Sequence, residues 1–227
     1  MSINYAAVKE IENNIGNTRL MAVSKTRTIE EIMEVFNNTD IRLFGENHVQ
    51  EIVSKFKNRA KGLELHMIGH LQMNKVTKVV PLVDMIESVD SVRLLERIDR
   101  AAGECGKVMD VLLEFNTSKE AAKSGFETRE GVFECVEAAR KMQNVRIRGL
   151  MTIGPVDCQP DEKETLTDRA FKDLVELQRL CRERFTDVDF GILSMGMSED
   201  YMIGVRNGST EVRIGTAIFG PRNYAKT

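Results

Sequence analysis

19-RLMAVSKT-26 is a short apolar run that ends in polar residues, and its pattern recurs along the chain. Runs of this length and composition, bounded by polar or glycine residues, are typical of strands that are buried on both faces. The sequence therefore predicts eight strands, of which the other seven are 43-LFGEN-47, 64-ELHMIGHLQ-72, 85-MIESVDS-91, 110-DVLLEFNT-117, 146-RIRGLMTIG-154, 189-DFGILSMGMS-198 and 211-EVRIGTAIFG-220.

The segments between these strands carry a helical pattern. Apolar residues recur every three or four positions in residues 92–105 and 162–185, which is the period of an amphipathic helix. Thr28 and Glu31 match the capping box T-x-x-E, and Thr128 precedes another predicted helix start. Strands that alternate with helices predict parallel βαβ units.

The number of strands decides between two architectures. An open, doubly wound sheet is the competing arrangement, but eight strands with polar or glycine residues at nearly every carboxyl end favour a closed barrel. We therefore predict that residues 1–227 form a single α/β domain, a (β/α)8 TIM barrel. Residues 154–164, rich in proline and acid, are predicted to form a mobile loop at its mouth.

Composition limits the partners and the location of the protein. The 227 residues carry a formal net charge of -3 with acidic and basic residues interleaved, which does not indicate a nucleic-acid partner. The N-terminus is polar, and no apolar run approaches the ~18 residues that a membrane helix needs. We expect a monomeric, cytoplasmic protein that contacts neither nucleic acid nor membrane.

Cysteines and histidines do not indicate a metal site. The cysteine spacings match no zinc pattern, and Cys105, Cys135 and Cys181 fall in predicted helices, where buried free thiols are expected. His66 and His70 lie four residues apart on a predicted strand, without the glutamate of the H-E-x-x-H motif. No metal site is therefore predicted.

Polar side chains and glycines lie at the carboxyl ends of the predicted strands, which converge in a barrel. Lys25 follows the first strand, so packing is expected to hold its stem while its amine points into the mouth. Poor hydration there favours the neutral, nucleophilic amine, although a surface lysine is an equally simple interpretation of this residue alone. The other residues at these ends are Ser24, Glu46, Asn47, His70, Gln72, Asn74, Asn116, Met151, Thr152, Ser194, Gly196, Ser198, Arg213, Gly215 and Thr216.

Two loops rich in glycine and hydroxyl residues predict a phosphate site. Gly196-Met-Ser198 ends the seventh run, and Arg213-x-Gly215-Thr216 lies in the eighth. Barrels commonly bind phosphate between these loops, where glycine lets backbone N–H groups approach the ligand. A phosphate site opposite a lysine suggests either pyridoxal 5'-phosphate (PLP) or a sugar phosphate held as in aldolases. Arg213 favours PLP, because an arginine leaves a neighbouring pyridine nitrogen unprotonated; its other interpretation is a salt bridge with an acid.

Seven segments resemble the PLP homeostasis protein family, also called YggS-like or proline synthetase co-transcribed proteins. The similarity extends from about residue 19 to residue 220, and LSMGMS together with GSTEVRIGTAIFG is highly specific to the family. The segments are AVSKT (22–26), FGENHVQE (44–51), HMIGHLQMNK (66–75), KSGF (123–126), RGLMTI (148–153), LSMGMSEDY (193–201) and GSTEVRIGTAIFG (208–220).

The resemblance implies a barrel like the N-terminal domain of alanine racemase, with PLP held as a Schiff base on Lys25. Members of the family have no established catalytic activity and are linked to the balance of vitamin B6 and amino acids. The resemblance also implies a set of cofactor contacts: Ser198, Gly215 and Thr216 at the phosphate, Arg213 at the pyridine nitrogen, and Asn47 beside the cofactor.

Three functions are compatible with these residues: a PLP carrier, an amino-acid racemase and a lysine-dependent aldolase. A racemase needs a second base, which racemases take from another domain, but only residues 221–227 follow the eighth run, and Tyr201 is the one tyrosine expected near the mouth. An aldolase needs carboxylates around the lysine, and only Glu46 lies at a strand end. We therefore predict a PLP homeostasis protein without strong catalysis, which supplies PLP to apo PLP-dependent enzymes. For this transfer the ring edge of the cofactor is expected to be open to solvent beneath the loops that carry Lys75 and Lys123.

Overall fold

Eight parallel strands form a closed barrel in the computed structural model, which describes residues 3–120 and 123–221. Each strand pairs with the next, and the last pairs with the first. The predicted (β/α)8 barrel is therefore confirmed. Its strands are β1 (Arg19–Val23), β2 (Leu43–Glu46), β3 (Glu64–Met67), β4 (Met85–Val89), β5 (Met109–Glu114), β6 (Val145–Met151), β7 (Ile192–Met197) and β8 (Glu211–Ile214).

One helix precedes the first strand, and a helix follows each of the eight strands around the barrel. Thr28 completes the predicted capping box with Glu31, and the Thr128 hydroxyl accepts the amide of Gly131. The described helices include none that is both long and apolar enough to span a membrane. They are α1 (Tyr5–Ile15), α2 (Ile29–Asn38), α3 (Val49–Lys55), α4 (Val76–Val79), α5 (Val92–Glu104), α6 (Arg129–Ala139), α7 (Lys163–Arg184), α8 (Tyr201–Arg206) and α9 (Thr216–Phe219), with a 3₁₀ turn at Met73–Lys75.

Alternation along the strands divides the core into two parts. In β1, Ala22 packs in the main cluster, which includes helix residues. Met21 instead belongs to a smaller cluster with Leu43 of β2 and Ile68, which follows β3. In β3, Leu65 and Met67 lie in the main cluster, so His66 between them points to the barrel interior. The interior therefore contains polar groups as well as apolar ones.

The predicted strands extend too far at their carboxyl ends. The run 211–220 is a strand only to Ile214, and Thr216 begins the helical turn α9. Beyond the rim of the barrel a chain has no neighbouring strand to pair with, so it turns into loops that face the mouth. The expectation of a buried Cys105 is also wrong, because this residue ends α5 and is exposed; Cys135 and Cys181 are buried.

Two glycines permit register shifts in the strands that shape the mouth. Gly149 in β6 has φ +154, and a Cβ there would lie 1.9 Å from the carbonyl oxygen of Ile192. Gly196 in β7 has φ +102 and lies within the register shift between Ser194 and Met197. Such shifts change the direction of the side chains that follow them, and here those side chains lie at the carboxyl end of the barrel.

Candidate functional site

A cavity of about 330 Å³ opens at the carboxyl ends of the strands, a volume within the range of small-molecule sites. Amine, guanidinium, amide and hydroxyl groups from the ends of β1, β2, β7 and β8 line it. The structure brings all the residues predicted to bind a cofactor into this one cavity: Lys25, Asn47, Ser198, Arg213, Gly215 and Thr216.

Lys25 lies in a strained turn that is anchored on both sides. Thr26, directly after it, has φ +65, a left-handed conformation that β-branched residues avoid. The amide of Thr26 donates to Glu51 Oε2 over 2.7 Å. On the other side of Lys25, the hydroxyl of Ser24 donates to Glu46 Oε1 over 2.7 Å. These contacts fix the backbone that carries the lysine.

Lys55 connects the two anchors, although no sequence motif singles it out. Its amine donates to the carbonyl oxygen of Ser24 over 3.2 Å and to carboxylate oxygens of Glu46 and Glu51 over 3.0 and 2.5 Å. Burial raises the pKa of Glu46, and the neighbouring Lys55 acts against this effect. Glu46 is not among the described residues that line the cavity, so it does not supply the carboxylate that an aldolase needs.

The loops after β7 and β8 form another side of the cavity. Ser198 comes from the first loop, and Gly215 and Thr216 come from the second. Asp200 Oδ1 accepts the amide of Met197 over 2.6 Å and so holds the turn that presents Ser198. Burial raises the pKa of Asp200. This side offers hydroxyl groups and backbone made accessible by a glycine.

Sequence reasoning missed three charged residues in this region. Lys163, Glu199 and Asp200 also line the cavity. The amine of Lys163 forms an ion pair with Glu199, and their hydrogen bond raises the pKa of Lys163. Glu199 and Asp200 lie in the segment 193–201 that resembles the family, although no role was predicted for them, and no pattern distinguishes Lys163, because charged residues are frequent at the starts of helices.

The loop after β6 reaches the mouth, although the predicted segment 154–164 is too long because α7 begins at Lys163, and its mobility stays a prediction. Pro155 and Val156 from this loop line the cavity. The amine of Lys123 donates to the carbonyl oxygen of Gly154 over 2.7 Å, which ties the loop after β5 to the loop after β6. Two loops of the mouth are thus connected to each other.

Arg213 is a buried cation at the floor of the cavity, with only 4% of its surface exposed. Its Nη1 donates to Ser194 Oγ over 2.6 Å, and its Nη2 donates to the carbonyl oxygen of Thr152 over 2.7 Å. Glu211 lies two residues earlier on the same strand. The predicted alternative, a salt bridge of Arg213 with an acid, is not among the ion pairs of the described residues.

A polar chain continues from Arg213 through the barrel interior. The Ser194 hydroxyl donates to Glu87 Oε2 over 2.6 Å, and Glu87 Oε1 lies 2.6 Å from His66 Nδ1. His66 Nε2 lies 2.9 Å from Glu64 Oε1. Ser194, Glu87 and His66 are fully buried, whereas Glu64 reaches the surface at the amino ends of the strands. The chain therefore crosses the barrel.

The short distances between charged groups shift the pKa values within this polar chain. Burial alone would lower the pKa of His66, but hydrogen bonds to Glu64 and Glu87 raise it to about 10. Burial next to Glu87 raises the pKa of Glu211 to about 8. Burial opposes ionisation of Glu87 as well, but its hydrogen bond with His66 lowers the pKa of this carboxyl. These shifts favour a charged His66 beside an ionised Glu87, and they favour a proton on Glu211.

Other residues at the predicted strand ends do not reach the cavity. His70 is exposed and pairs with Asp90 over 3.2 Å, and the side-chain amide of Asn116 donates to the carbonyl oxygen of Glu120. Neither Lys75 nor Lys123 is among the described residues that line the cavity. A role of these lysines in cofactor transfer therefore stays a prediction.

Comparison with known proteins assigns the chain to a family. Residues 2–223 match the family described as alanine racemase, N-terminal domain. The pyridoxal phosphate homeostasis protein of Vibrio cholerae is 37% identical over 97% of this chain and 94% of its own length. This chain belongs to the pyridoxal phosphate homeostasis protein family. The human protein of that name is 36% identical over 92% of this chain.

Solved structures agree with this assignment. PipY of Synechococcus elongatus PCC7942, solved with PLP bound, superposes with a TM-score of 0.84 at 32% identity, over 95% of this chain and 99% of its own. Alanine racemase of Clostridium difficile 630 superposes with a TM-score of 0.77 at 16% identity, over 98% of this chain and 62% of its own. This chain and the racemase thus share the barrel fold.

The two raised pKa values predict how stability depends on pH. Between the unfolded pKa of His66, 6.5, and the folded pKa of Glu211, about 8, the folded protein binds more protons at these two residues than the unfolded chain does, so the free energy of unfolding falls as pH rises, most steeply in the middle of this window. Each such proton contributes a slope of about 1.4 kcal/mol per pH unit. We expect Glu211→Gln to remove one proton and to reduce the slope to about half, measured by urea unfolding without added ligand. The surface variant Glu10→Gln is the control, and equal slopes for wild type and Glu211→Gln would contradict the assignment.

Proposed function

We propose that this chain binds PLP covalently through Lys25 and acts in PLP homeostasis. The observation that carries the proposal is a single cavity lined by Lys25, by Arg213 and by the glycine and hydroxyl residues after β7 and β8. The related PipY, which was solved with PLP bound, supports it. The protein would supply PLP to apo PLP-dependent enzymes.

The groups that line the cavity suit PLP chemically. The Lys25 amine can condense with the aldehyde and release water, while Ser198 and Thr216 offer hydroxyl groups to the phosphate. Gly215 leaves the backbone beside them accessible to phosphate oxygens. The side-chain oxygen of Asn47 is buried and has no hydrogen-bond partner among the described residues, as expected of a group that a ligand completes.

Arg213 would contact the ring nitrogen of the cofactor and limit its chemistry. Bound PLP supplies an electron sink, whose strength depends on the group at the pyridine nitrogen. A guanidinium does not release its proton, so it donates a hydrogen bond and leaves that nitrogen unprotonated. We infer that the protein holds PLP without strong catalysis of its own.

A racemase-like PLP enzyme is the second candidate, favoured by the fold shared with alanine racemase. A racemase needs bases on both sides of the reacting carbon. No tyrosine or histidine is found among the described residues that line the cavity, and Lys163 is paired with Glu199. This composition favours the homeostasis role over the racemase.

Lys25 is expected to be the lysine that holds the cofactor. After incubation with PLP the protein should be yellow, and borohydride reduction followed by peptide mass mapping should place a pyridoxyl group on Lys25. Lys25→Ala should lose the colour, whereas Lys163→Ala, which removes another lysine of the same cavity, should keep both the colour and the adduct. An adduct on Lys163 or elsewhere would show that the assignment is wrong.

The phosphate is expected to lie beside Ser198 and Thr216. The double variant Ser198→Ala, Thr216→Val removes both hydroxyl groups with little change of volume, so PLP should bind more weakly by about tenfold. Pyridoxal, which lacks the phosphate, is the internal control and should bind the variant and the wild type alike. Titrations followed by absorbance measure both ligands, and equal losses for the two would argue against a phosphate site here.

Exchange of the α-proton tests the absence of strong catalysis. In deuterated solvent, L-alanine with the PLP-loaded protein should exchange its α-proton on the order of 100-fold or more slowly than with an alanine racemase, because the described residues that line the cavity include no tyrosine or histidine to act as a second base. Proton NMR of the amino acid measures the rate, and Lys25→Ala sets the background. Racemisation at a rate comparable with that of the racemase would favour the second candidate.

A further inference from the structure

The polar chain beneath Arg213 consists of Ser194, Glu87, His66 and Glu64. It takes no part in the proposed contacts with PLP, yet it is almost completely buried. Buried polar groups are costly unless they are fully hydrogen-bonded, so such a chain requires an explanation. We propose that Glu87 is a positioning residue that, through Ser194, fixes the guanidinium of Arg213 for the ring nitrogen of the cofactor, with His66 as its counter-charge. This inference rests on the proposed function.

Glu87 decides which way the hydroxyl of Ser194 is directed. A hydroxyl group has one hydrogen to donate and lone pairs to accept with. Since an ionised carboxylate can only accept, the Ser194 hydrogen points to Glu87 Oε2 at 2.6 Å, and the lone pairs face Arg213 Nη1 at 2.6 Å. The carbonyl oxygen of Thr152 holds Nη2 in the same way. Two acceptors thus set the plane of the guanidinium.

His66 keeps Glu87 ionised and in place. Both ring nitrogens of His66 lie within hydrogen-bond distance of a carboxylate, Nδ1 of Glu87 and Nε2 of Glu64, so both act as donors and the ring carries a positive charge. A fully buried carboxylate would otherwise be expected to take up a proton. A protonated Glu87 could donate its own hydrogen to Ser194, and the direction of the hydroxyl would no longer be fixed.

A metal ion is the competing explanation for these side chains. Ligand atoms of His66, Glu87 and Glu211 all lie within 4.8 Å of one another, and neither carboxylate oxygen of Glu211 has a hydrogen-bond partner among the described residues. The distance between His66 Nδ1 and Glu87 Oε1 is 2.6 Å, however, which suits a shared hydrogen. Two ligands of one tetrahedral zinc ion lie roughly 3.3 Å apart, given Zn–N and Zn–O distances of about 2 Å. The geometry therefore favours protons over a metal.

Variants of residues in the polar chain test this proposal. Glu87→Gln preserves the shape of the side chain but removes its charge, and Ser194→Ala removes the link to Arg213. Each variant should bind PLP about tenfold more weakly than wild type, since the charge-assisted hydrogen bond from Arg213 to the ring nitrogen is weakened. With PLP labelled with ¹⁵N in the ring, the ¹⁵N resonance should shift in both variants, because the guanidinium is no longer aligned with the nitrogen.

A matched control separates positioning from packing. Ser88→Ala also removes a fully buried hydroxyl, which donates to the carbonyl oxygen of Gly69. Ser88 does not belong to the polar chain, so this variant should keep the wild-type affinity and ¹⁵N resonance. Because Glu87 acts through Ser194, the double variant should bind PLP no more weakly than the weaker single variant.

The outcomes distinguish this inference from the proposed function. If wild type does not bind PLP, the proposed function fails first. If wild type binds PLP but Glu87→Gln and Ser194→Ala, shown to be folded by circular dichroism, keep its affinity and ¹⁵N resonance, only the positioning role fails. Additive losses in the double variant would also overturn that role. Stoichiometric Zn²⁺ binding by the wild type that Glu211→Gln abolishes would assign the side chains to a metal and overturn it as well.

Discussion

The guanidinium of Arg213 is a buried charge that cannot be removed by loss of a proton, and the barrel interior is arranged around that constraint. An isolated charge in such a place would cost several kcal/mol, so the interior must supply acceptors and a counter-charge. Ser194 and Thr152 supply the acceptors, and Glu87 supplies the counter-charge. Glu87 in turn requires His66. One cation at the mouth thus accounts for the polar chain from Ser194 to His66.

This arrangement gives up hydrophobic packing inside the barrel. Replacing buried ion pairs by apolar residues of similar volume often stabilises a protein, so a buried polar chain is weak evidence for stability. Its more direct effect is to limit where the guanidinium can lie. Lys25 is supported in a similar way, because Ser24, Glu46 and Lys55 fix its backbone without lining the cavity. In both places the residues at the cavity are held by others behind them.

The fold was largely predictable from the sequence, and the supporting groups were not. Apolar runs and polar carboxyl ends mark the eight strands because each strand is buried on both faces, and they mark Lys25 and Arg213 because those ends meet at one mouth. The strand limits were less certain, as in β8, since nothing in the composition of residues 215–220 shows where pairing stops. The contact between Glu87 and Ser194 joins residues 107 positions apart, and no local pattern marks such a pair.

Two lysines near Lys25 have a consequence for chemoselectivity. The amine of Lys55 donates to a backbone carbonyl and two carboxylates, and that of Lys163 is paired with Glu199. An ammonium group held in this way has no lone pair with which to attack a carbonyl carbon. Of these two amines only that of Lys163 lines the cavity, so a reactive aldehyde that enters the mouth meets it as one half of an ion pair. Pairing therefore disfavours unwanted adducts on Lys163, whose side chain is 38% exposed, whereas Lys55 is both paired and largely buried.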